Sequence, residues 1–558
     1  MKPVITRAVI LDGYVDEPAC LGVPPYMAPY PRYVAGTLPC EVLYYTIDQL
    51  RADRSILDVM NKSDLVVAIS GVTVPGKYLG GTPATLPELE KLMAAVETTK
   101  ILGGPVSMFG AGVEGGKRAS RVRASRSFDV VATGDVEAVV AGYVEEGRSV
   151  DPELRRKARD VATWAVRGAR IVPQHPDFPH TMAEIETYRG CFRGNCSFCT
   201  ERFYGRPDFR SVADIAAEVS ALYDLGVRHF RLGRQPDLLT YGSKGDGEFP
   251  EPDVEAITGL YKGIRAVAPQ LKVLHMDNAN PGTIARHPEA CRAVLKAIVR
   301  YHTPGDVAAF GMESADPHVI RMNSLKAQPD EVREAIRIVN EVGGGRGDSG
   351  LPELLPGLNF VYGLMGETRE TFRLNYEFLE SLLADNLLVR RINIRQVMPF
   401  EGTCMGEVGD KIANKHKGLF HAHKNKVREH IDLEMLRRVA PVGTILRDVR
   451  MELREGGVTF GRQIATYPLL AGVAAEIPIG SFADVKVVSH GYRSITAVPY
   501  PLDVNGASLK TLESLPGVGR SRASAIARSR PYRDADAFVA ALDDPAVAKG
   551  LLDYLAFR

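Results

Sequence analysis

Three cysteines, Cys191, Cys196 and Cys199, fall within nine residues of YRGCFRGNCSFCTERFYG, directly after a strand-like run from Met182 to Tyr188. Three thiolates on one short loop can hold three irons of a four-iron cluster and leave the fourth open to a non-protein ligand. A fourth cysteine would close the site, and the next along the chain is Cys291. A zinc knuckle usually takes four Cys or His ligands at paired spacings. The nearest histidine, His180, precedes the strand, so the spacing favours the cluster.

Such a loop needs a scaffold, and residues 182–405 alternate strand-like and helical stretches at barrel-like intervals. Polar and glycine residues gather where each strand should end: Gly233-Arg234-Gln235, Asp277-Asn278, Gly311-Met312-Glu313-Ser314, Tyr362 to Thr368, and Gln396 to Phe400. Carboxyl ends of strands are the face on which parallel barrels carry their sites. Cys404 follows the last of them, where its thiol could donate a hydrogen atom.

The loop resembles that of the radical S-adenosylmethionine (SAM) superfamily: three cysteines after the first strand of a partial (β/α) barrel, with an aromatic residue, here Phe198, before the last. The family spacing is three residues and then two; here it is four and two. The resemblance implies a four-iron cluster whose open iron binds SAM, reductive cleavage to a 5′-deoxyadenosyl radical, and an electron donor such as flavodoxin or ferredoxin. It also implies SAM-contacting roles by position. Gly233, Arg234 and Gln235 would approach the amino group, Glu313 and Ser314 the ribose or carboxylate, and Gly363, Gly366 and Glu367 the adenine. Asp277 and Asn278 would face SAM or substrate.

Residues 1–150 alternate buried strands with amphipathic helices, the pattern of a doubly wound Rossmann-like sheet. They resemble the cobalamin-binding domain that precedes many radical SAM barrels. The Asp-x-His-x-x-Gly motif is missing and no histidine precedes His175, so cobalamin is an open alternative without a ligand motif. Residues 151–181 read as a linker, with a charged helix from Pro152 to Arg167 and a proline-rich end. Residues 182–450 form the barrel core and a basic helical extension containing Lys424 and Lys426. Within it, the glycine-rich stretch between Glu341 and Leu358 is expected to gate the substrate. Closely spaced short runs over 451–504, Ala465 to Tyr467 among them, suggest a small β-barrel, and the segment resembles a TRAM- or OB-like barrel.

Residues 505–558 resemble a helix-hairpin-helix domain, with Leu515-Pro516-Gly517-Val518-Gly519 as its turn. Gly517 and Gly519 would present backbone amides to a phosphate, with Arg520 and Arg522 adding charge. A docking module is the competing reading.

The 558 residues carry a formal net charge of +1, so affinity for nucleic acid has to come from local patches. Seven scattered cysteines do not make a disulfide framework, and a labile cluster belongs in a reducing compartment. No apolar run approaches the roughly 18 residues of a membrane span. The expectation is a cytoplasmic enzyme that modifies a nucleic acid, with transfer RNA favoured. A cobalamin-dependent methylase and a non-catalytic nucleic-acid-binding iron–sulfur protein are the alternatives. A methylthiotransferase proper would need three further amino-terminal cysteines, and only Cys20 and Cys40 are present.

Overall fold

Short β-branched runs build the amino-terminal domain of the computed structural model, which describes residues 4–15, 26–71, 81–112 and 115–558. Its strands are β1 (Arg7–Asp12), β2 (Tyr26–Met27), β3 (Glu41–Thr46), β4 (Leu65–Ile69), β5 (Thr99–Gly103) and β6 (Val130–Val131). All but β2 form one parallel sheet in the order β3-β1-β4-β5-β6, the doubly wound arrangement expected. Ala8 to Leu11 are fully buried because helices cover both faces of the sheet, which explains the unbroken apolar run. Cys20 lies outside the described residues.

The second layer holds β7 (Met182–Glu186), β8 (Tyr188–Arg189), β9 (Asp208–Phe209), β10 (His229–Gly233), β11 (Val273–His275), β12 (Asn278–Ala279), β13 (Asp306–Glu313), β14 (Leu354–Tyr362) and β15 (Arg391–Gln396). Two parallel arcs, β11-β10-β7-β2 and β12-β13-β14-β15, are joined through Met276 and Asp277. The partial barrel is therefore open between β2 and β15. Side-chain alternation decides what faces inward. Ile185, Phe230, Leu232, Phe310, Phe360, Ile392 and Ile394 pack outward in the main core. Their neighbours Glu184, Arg231, Glu313, Asn359, Arg391 and Arg395 line the lumen.

The supposed linker is part of the packing. Its helix is Ala158–Gly168, shorter than the expected 152–167, and it lies against the helix Pro29–Thr37. A Cβ on Gly36 would fall 1.9 Å from the Trp164 carbonyl oxygen, so only glycine allows this approach. The Thr133 to Glu137 loop completes the docking of domain on barrel. Asp135 accepts from Arg189 at 2.6 and 2.9 Å, and Arg156 joins Glu137 to Glu186.

A closed five-stranded barrel follows: β16 (Ile445–Glu455), β17 (Val458–Gln463), β18 (Leu470–Val473), β19 (Phe482–His490) and β20 (Ser494–Pro499), in the order β16-β17-β18-β20-β19. It begins at Ile445, ahead of the expected 451. Ala465 to Tyr467 is not a strand of it. Thr466 N donates to His275 Nδ1 at 3.2 Å and Tyr467 OH to Asp277 Oδ1 at 2.8 Å, so this loop plugs the floor of the larger barrel. The glycine-rich stretch after Glu341 is likewise no gate at the mouth. Arg447 N and Gln463 Nε2 both donate to Ser349 O, at 3.2 and 2.8 Å, which anchors the small barrel below the large one. The carboxyl-terminal helices Leu509–Glu513, Arg520–Arg528, Ala535–Ala541 and Pro545–Leu551 share one core with Val488 and Val498 of the small barrel. The tail is docked as well as hairpin-shaped.

Among the described residues, no helix is long and apolar enough to cross a membrane.

Candidate SAM and cluster site

The ribbon β8–β9 frames the cysteine loop. Cys191 N donates to Gly205 O at 3.0 Å, closing the loop at its base, and Gly190 turns with φ 89° where a Cβ would meet the Arg206 carbonyl. Asn323 pins the far end. Its carbonyl accepts from Ser197 N at 3.1 Å, its Oδ1 accepts from Ser197 Oγ at 2.7 Å, and its Nδ2 donates to Met365 O at 2.8 Å. One asparagine thus ties the cysteine loop to the loop after β14. Met405 N donates to Ser197 O at 3.0 Å, which brings the short helix Cys404–Val408 alongside.

Facing the thiols is a pair of opposite charges, Glu313 and Lys326, 4.0 Å apart. Glu313 ends β13 with φ 58°, and its Oε2 is buried without a hydrogen-bond partner. Gly311 makes the room: a Cβ there would fall 2.3 Å from both Glu313 Oε1 and Lys326 Nζ. Burial raises the Glu313 carboxyl, opposed by Lys326 and then Arg193. Burial also works against the Lys326 ammonium. Glu313 and then Cys196, Cys199 and Cys191 outweigh it, so its pKa lies above the ordinary lysine value. All three thiols therefore act on one ammonium. For Cys196 and Cys199 burial dominates and raises the thiol; binding iron would remove that proton.

The other expected residues divide. Arg234, buried and with φ 66°, sits on the Tyr30 ring at 5.2 Å and donates to Tyr204 OH at 3.4 Å; burial lowers its pKa to about 10. Two non-glycine residues with positive φ at strand ends mark stored strain, about 1–3 kcal/mol each. Gln235 is committed inside the fold, accepting from Thr187 Oγ1 at 3.0 Å and donating to Leu232 O at 3.1 Å. Asn278 donates to Gln235 O at 3.2 Å. Asp277 is held by Arg231 and Tyr467. Ser314 Oγ donates to Asn375 Oδ1 at 3.3 Å and accepts from Asp316 N at 3.1 Å, so it shapes a helix entry. Glu367 closes its own loop, accepting from Gly363 N at 2.6 Å and pairing with His416 Nδ1 at 2.9 Å. Gly233, Gly363 and Gly366 are required by neighbours within the chain, since Cβ atoms there would meet Glu184, Ala413 and His318. Cys404 has an exposed thiol 4.0 Å from Arg202 Nη1.

In the tail, Gly517 turns with φ 72° and the helix Arg520–Arg528 starts at Gly519 without a side-chain cap. Arg520 is exposed, whereas Arg522 is spent on Asp543 at 2.9 Å and on Gly517 O at 2.8 Å. Lys426 lies 3.5 Å from the Tyr376 ring centre and Lys424 5.6 Å from that of Phe420. His423 bonds Tyr362 OH at 2.6 Å, so this histidine serves the core, whereas His421 and His430 are exposed.

A model of the radical SAM superfamily matches residues 185–379, the span that holds the cysteine loop, Glu313 and Lys326. The chain carries a radical SAM domain. Over nearly its whole length it is similar to an uncharacterized protein of Archaeoglobus fulgidus, 48% identical over 518 residues that cover 92% of this chain and 94% of the relative. One from Methanocaldococcus jannaschii is 49% identical over 507 residues, 88% and 93% of the two chains. A shorter likeness, 27% over 308 residues, is to the ribosomal protein uS12 methylthiotransferase RimO of Thermus thermophilus, covering 54% of this chain and 65% of that one. Among solved structures, the radical SAM methyltransferase TsrM from Kitasatospora setae, with cobalamin and a 4Fe–4S cluster bound, matches with 14% identity and a TM-score of 0.48 over 72% of this chain and 74% of that one.

The donor set of this radical SAM enzyme fits its superfamily's cofactors. Cys191, Cys196 and Cys199 would hold three irons of the cluster. The orphaned Glu313 oxygen and the Lys326 ammonium offer one partner of each sign to the ammonium and carboxylate of SAM. Cleaved reductively, SAM supplies a 5′-deoxyadenosyl radical; the protein's part is to orient it and exclude water. Lys326 and Tyr467 were not found from sequence. For a corrinoid the amino-terminal domain offers no histidine. Beyond β5, Met108 and Phe109 pack on Phe203, Tyr204 and Phe400, contacts that a corrinoid there would have to displace.

Proposed function

We propose that this radical SAM enzyme modifies a structured RNA, with transfer RNA the first substrate to test. The observation that carries the reading is the tail hairpin. Gly517 and Gly519 are exposed, Arg520 is exposed at the start of its helix, and no side chain caps the first amides of that helix. Uncapped amides at a helix start, together with the dipole, suit a backbone phosphate. The RimO relative is named for a ribosomal protein, which gives a second reading. Methylthio transfer itself is disfavoured, because Cys20 and Cys40 are too few for a second three-cysteine cluster.

Point variants test this better than truncation, because removing the tail would expose Val488 and Val498. Arg520→Ala with Arg528→Ala should weaken transfer RNA binding and lower the salt slope by about one per lost phosphate contact. SAM cleavage without substrate should be unchanged. Mass spectrometry of transfer RNA and of ribosomal proteins from a strain lacking the gene identifies the product. A missing modification on a ribosomal protein, with transfer RNA intact, refutes the RNA reading.

A further inference from the structure

The open side of the barrel carries more positive charge than its own ion pairs use. Arg391 and Arg395 project from the lumenal face of the edge strand β15. Lys424 of the helix Lys417–Val427, Arg428 one turn further along in the following π-helical turn, and Arg493 of the β19–β20 turn are near enough for their charges to act on this group. Two carboxylates answer this group. Asp432 lies 3.7 Å from Arg493 Nε, and Asp277 is already held by Arg231 and Tyr467. The Arg391 guanidinium rests 4.4 Å from the Tyr467 ring centre, the ring of the floor plug.

The charges feel one another. Burial first, then Arg395 and Arg493 against an opposing Tyr467, lower Arg391 to about 10. Burial and then Arg428, Arg493 and Arg395 lower Lys424. Burial raises Asp432 to about 6 despite Arg493, Arg428 and Arg391. Cations from four separate elements gather at the open side of the barrel, and most of them are arginines, whose planar forks match phosphate oxygens.

We propose that this cationic cluster holds a phosphoryl group of the substrate, gripped by Arg391, Arg395 and Arg493 in the field of Lys424 and Arg428. The chemistry is shared by an RNA backbone and a phosphorylated small molecule. Tyr492, 53% exposed on the same turn as Arg493, offers a ring for a base to stack on, which an RNA source would use. The inference needs only phosphate and does not depend on the tail hairpin.

The test titrates inorganic pyrophosphate into the full-length, cluster-reconstituted enzyme by calorimetry. The enzyme should bind it saturably. Arg493→Gln and Arg395→Gln should each weaken it about tenfold or more, as for loss of a charge-assisted hydrogen bond. Arg337→Gln, on a distant helix, should leave it unchanged, and all three should keep substrate-free SAM cleavage. If Arg395→Gln fails to fold, the partly exposed Arg493 decides. No binding at about 10 mM pyrophosphate, or equal binding by enzyme and variants, overturns the proposal. A 5′-phosphorylated RNA oligonucleotide separates the sources. Binding weakened by both Arg493→Gln and Tyr492→Ala identifies RNA, whereas an oligonucleotide no tighter than pyrophosphate identifies a small phosphorylated substrate. RNA affinity lost with Arg520→Ala yet untouched by Arg493→Gln would keep the RNA reading and reject this cationic cluster as the phosphate site.

Discussion

Lys326→Met keeps the aliphatic stem and removes the ammonium that faces both Glu313 and the thiols. At 4.0 Å and an effective dielectric near 20, the two charges interact by about 4 kcal/mol. Their side chains are only 21% and 10% exposed, so screening by water is modest. Without Lys326, Glu313 retains only the weaker influence of Arg193 against a burial effect that already raises its pKa. Its carboxyl pKa then rises further and its pull on the amino group of SAM weakens, while the carboxylate of SAM loses its own partner. Truncating one partner of a buried charge pair costs about 2–5 kcal/mol, so the dissociation constant for SAM should rise about 30-fold or more. Iron per chain after anaerobic reconstitution should stay at the wild-type value, because the three thiols remain. The assay is a SAM titration followed by the perturbed spectrum of the reduced cluster, with 5′-deoxyadenosine as the second readout. Lys326→Arg, which keeps a cation, should recover part of the affinity. A SAM affinity within about twofold of wild type in Lys326→Met, with iron retained, would refute the assignment.

Replacing Cys191, Cys196 and Cys199 together with alanine should abolish iron binding, whereas Cys291→Ser, in the barrel's helical core, should leave the iron count unchanged; chemical iron analysis decides. Tyr467→Phe removes a hydrogen bond to the buried Asp277 carboxylate and should destabilise the fold by about 1.5–3 kcal/mol, read as a lower urea midpoint. His175 is buried and neutral, its pKa lowered from 6.5 to about 4 chiefly by burial, with Nδ1 accepting from Asp177 N at 3.1 Å. The unfolded chain takes up this proton as pH falls below about 6.5 and the folded chain only near 4, so stability should drop across that window, by about 2 kcal/mol at pH 5. Urea unfolding of wild type and His175→Gln at pH 7.5 and 5.0 should show the variant with the shallower dependence.

The cysteine loop and the strand ends were legible because each is a local pattern: thiols at short spacing, then glycine or acid where a buried run stops. What escaped depends on contacts between distant segments. Lys326 reaches Glu313 because Ser324 turns the chain with φ 50°, and nothing in NSLKAQP announces a left-handed serine. Tyr467 sits in a stretch that looks like a strand, yet its partner Asp277 is 190 residues away. Gly233 was legible as a glycine that matters and misread in cause. It makes room for Glu184, whose carboxylate would lie 2.1 Å from a Cβ. Gln235 and Ser314 show the same limit, since a polar residue at a strand end serves a ligand or the next helix with identical sequence signals.

The division of the chain carries a consequence for specificity. The three cysteines that would hold the cluster, and the Glu313–Lys326 pair that would meet SAM, lie within residues 185–379, the span matched by the radical SAM model. Arg391, Arg395, Lys424, Tyr467 and Arg493 all lie beyond that span, and the last two belong to the small barrel. That barrel does two things at once: its β17–β18 loop closes the floor through Asp277, and its β19–β20 turn delivers Arg493 to the open side. A substrate entering beside β15 would meet the small barrel before it met the cluster. Changes in the β19–β20 turn should therefore alter which substrates are accepted while leaving reductive SAM cleavage intact. Changes at Tyr467 should disturb both, because the floor plug is tied through Asp277 to Arg231 in the centre of the lumen.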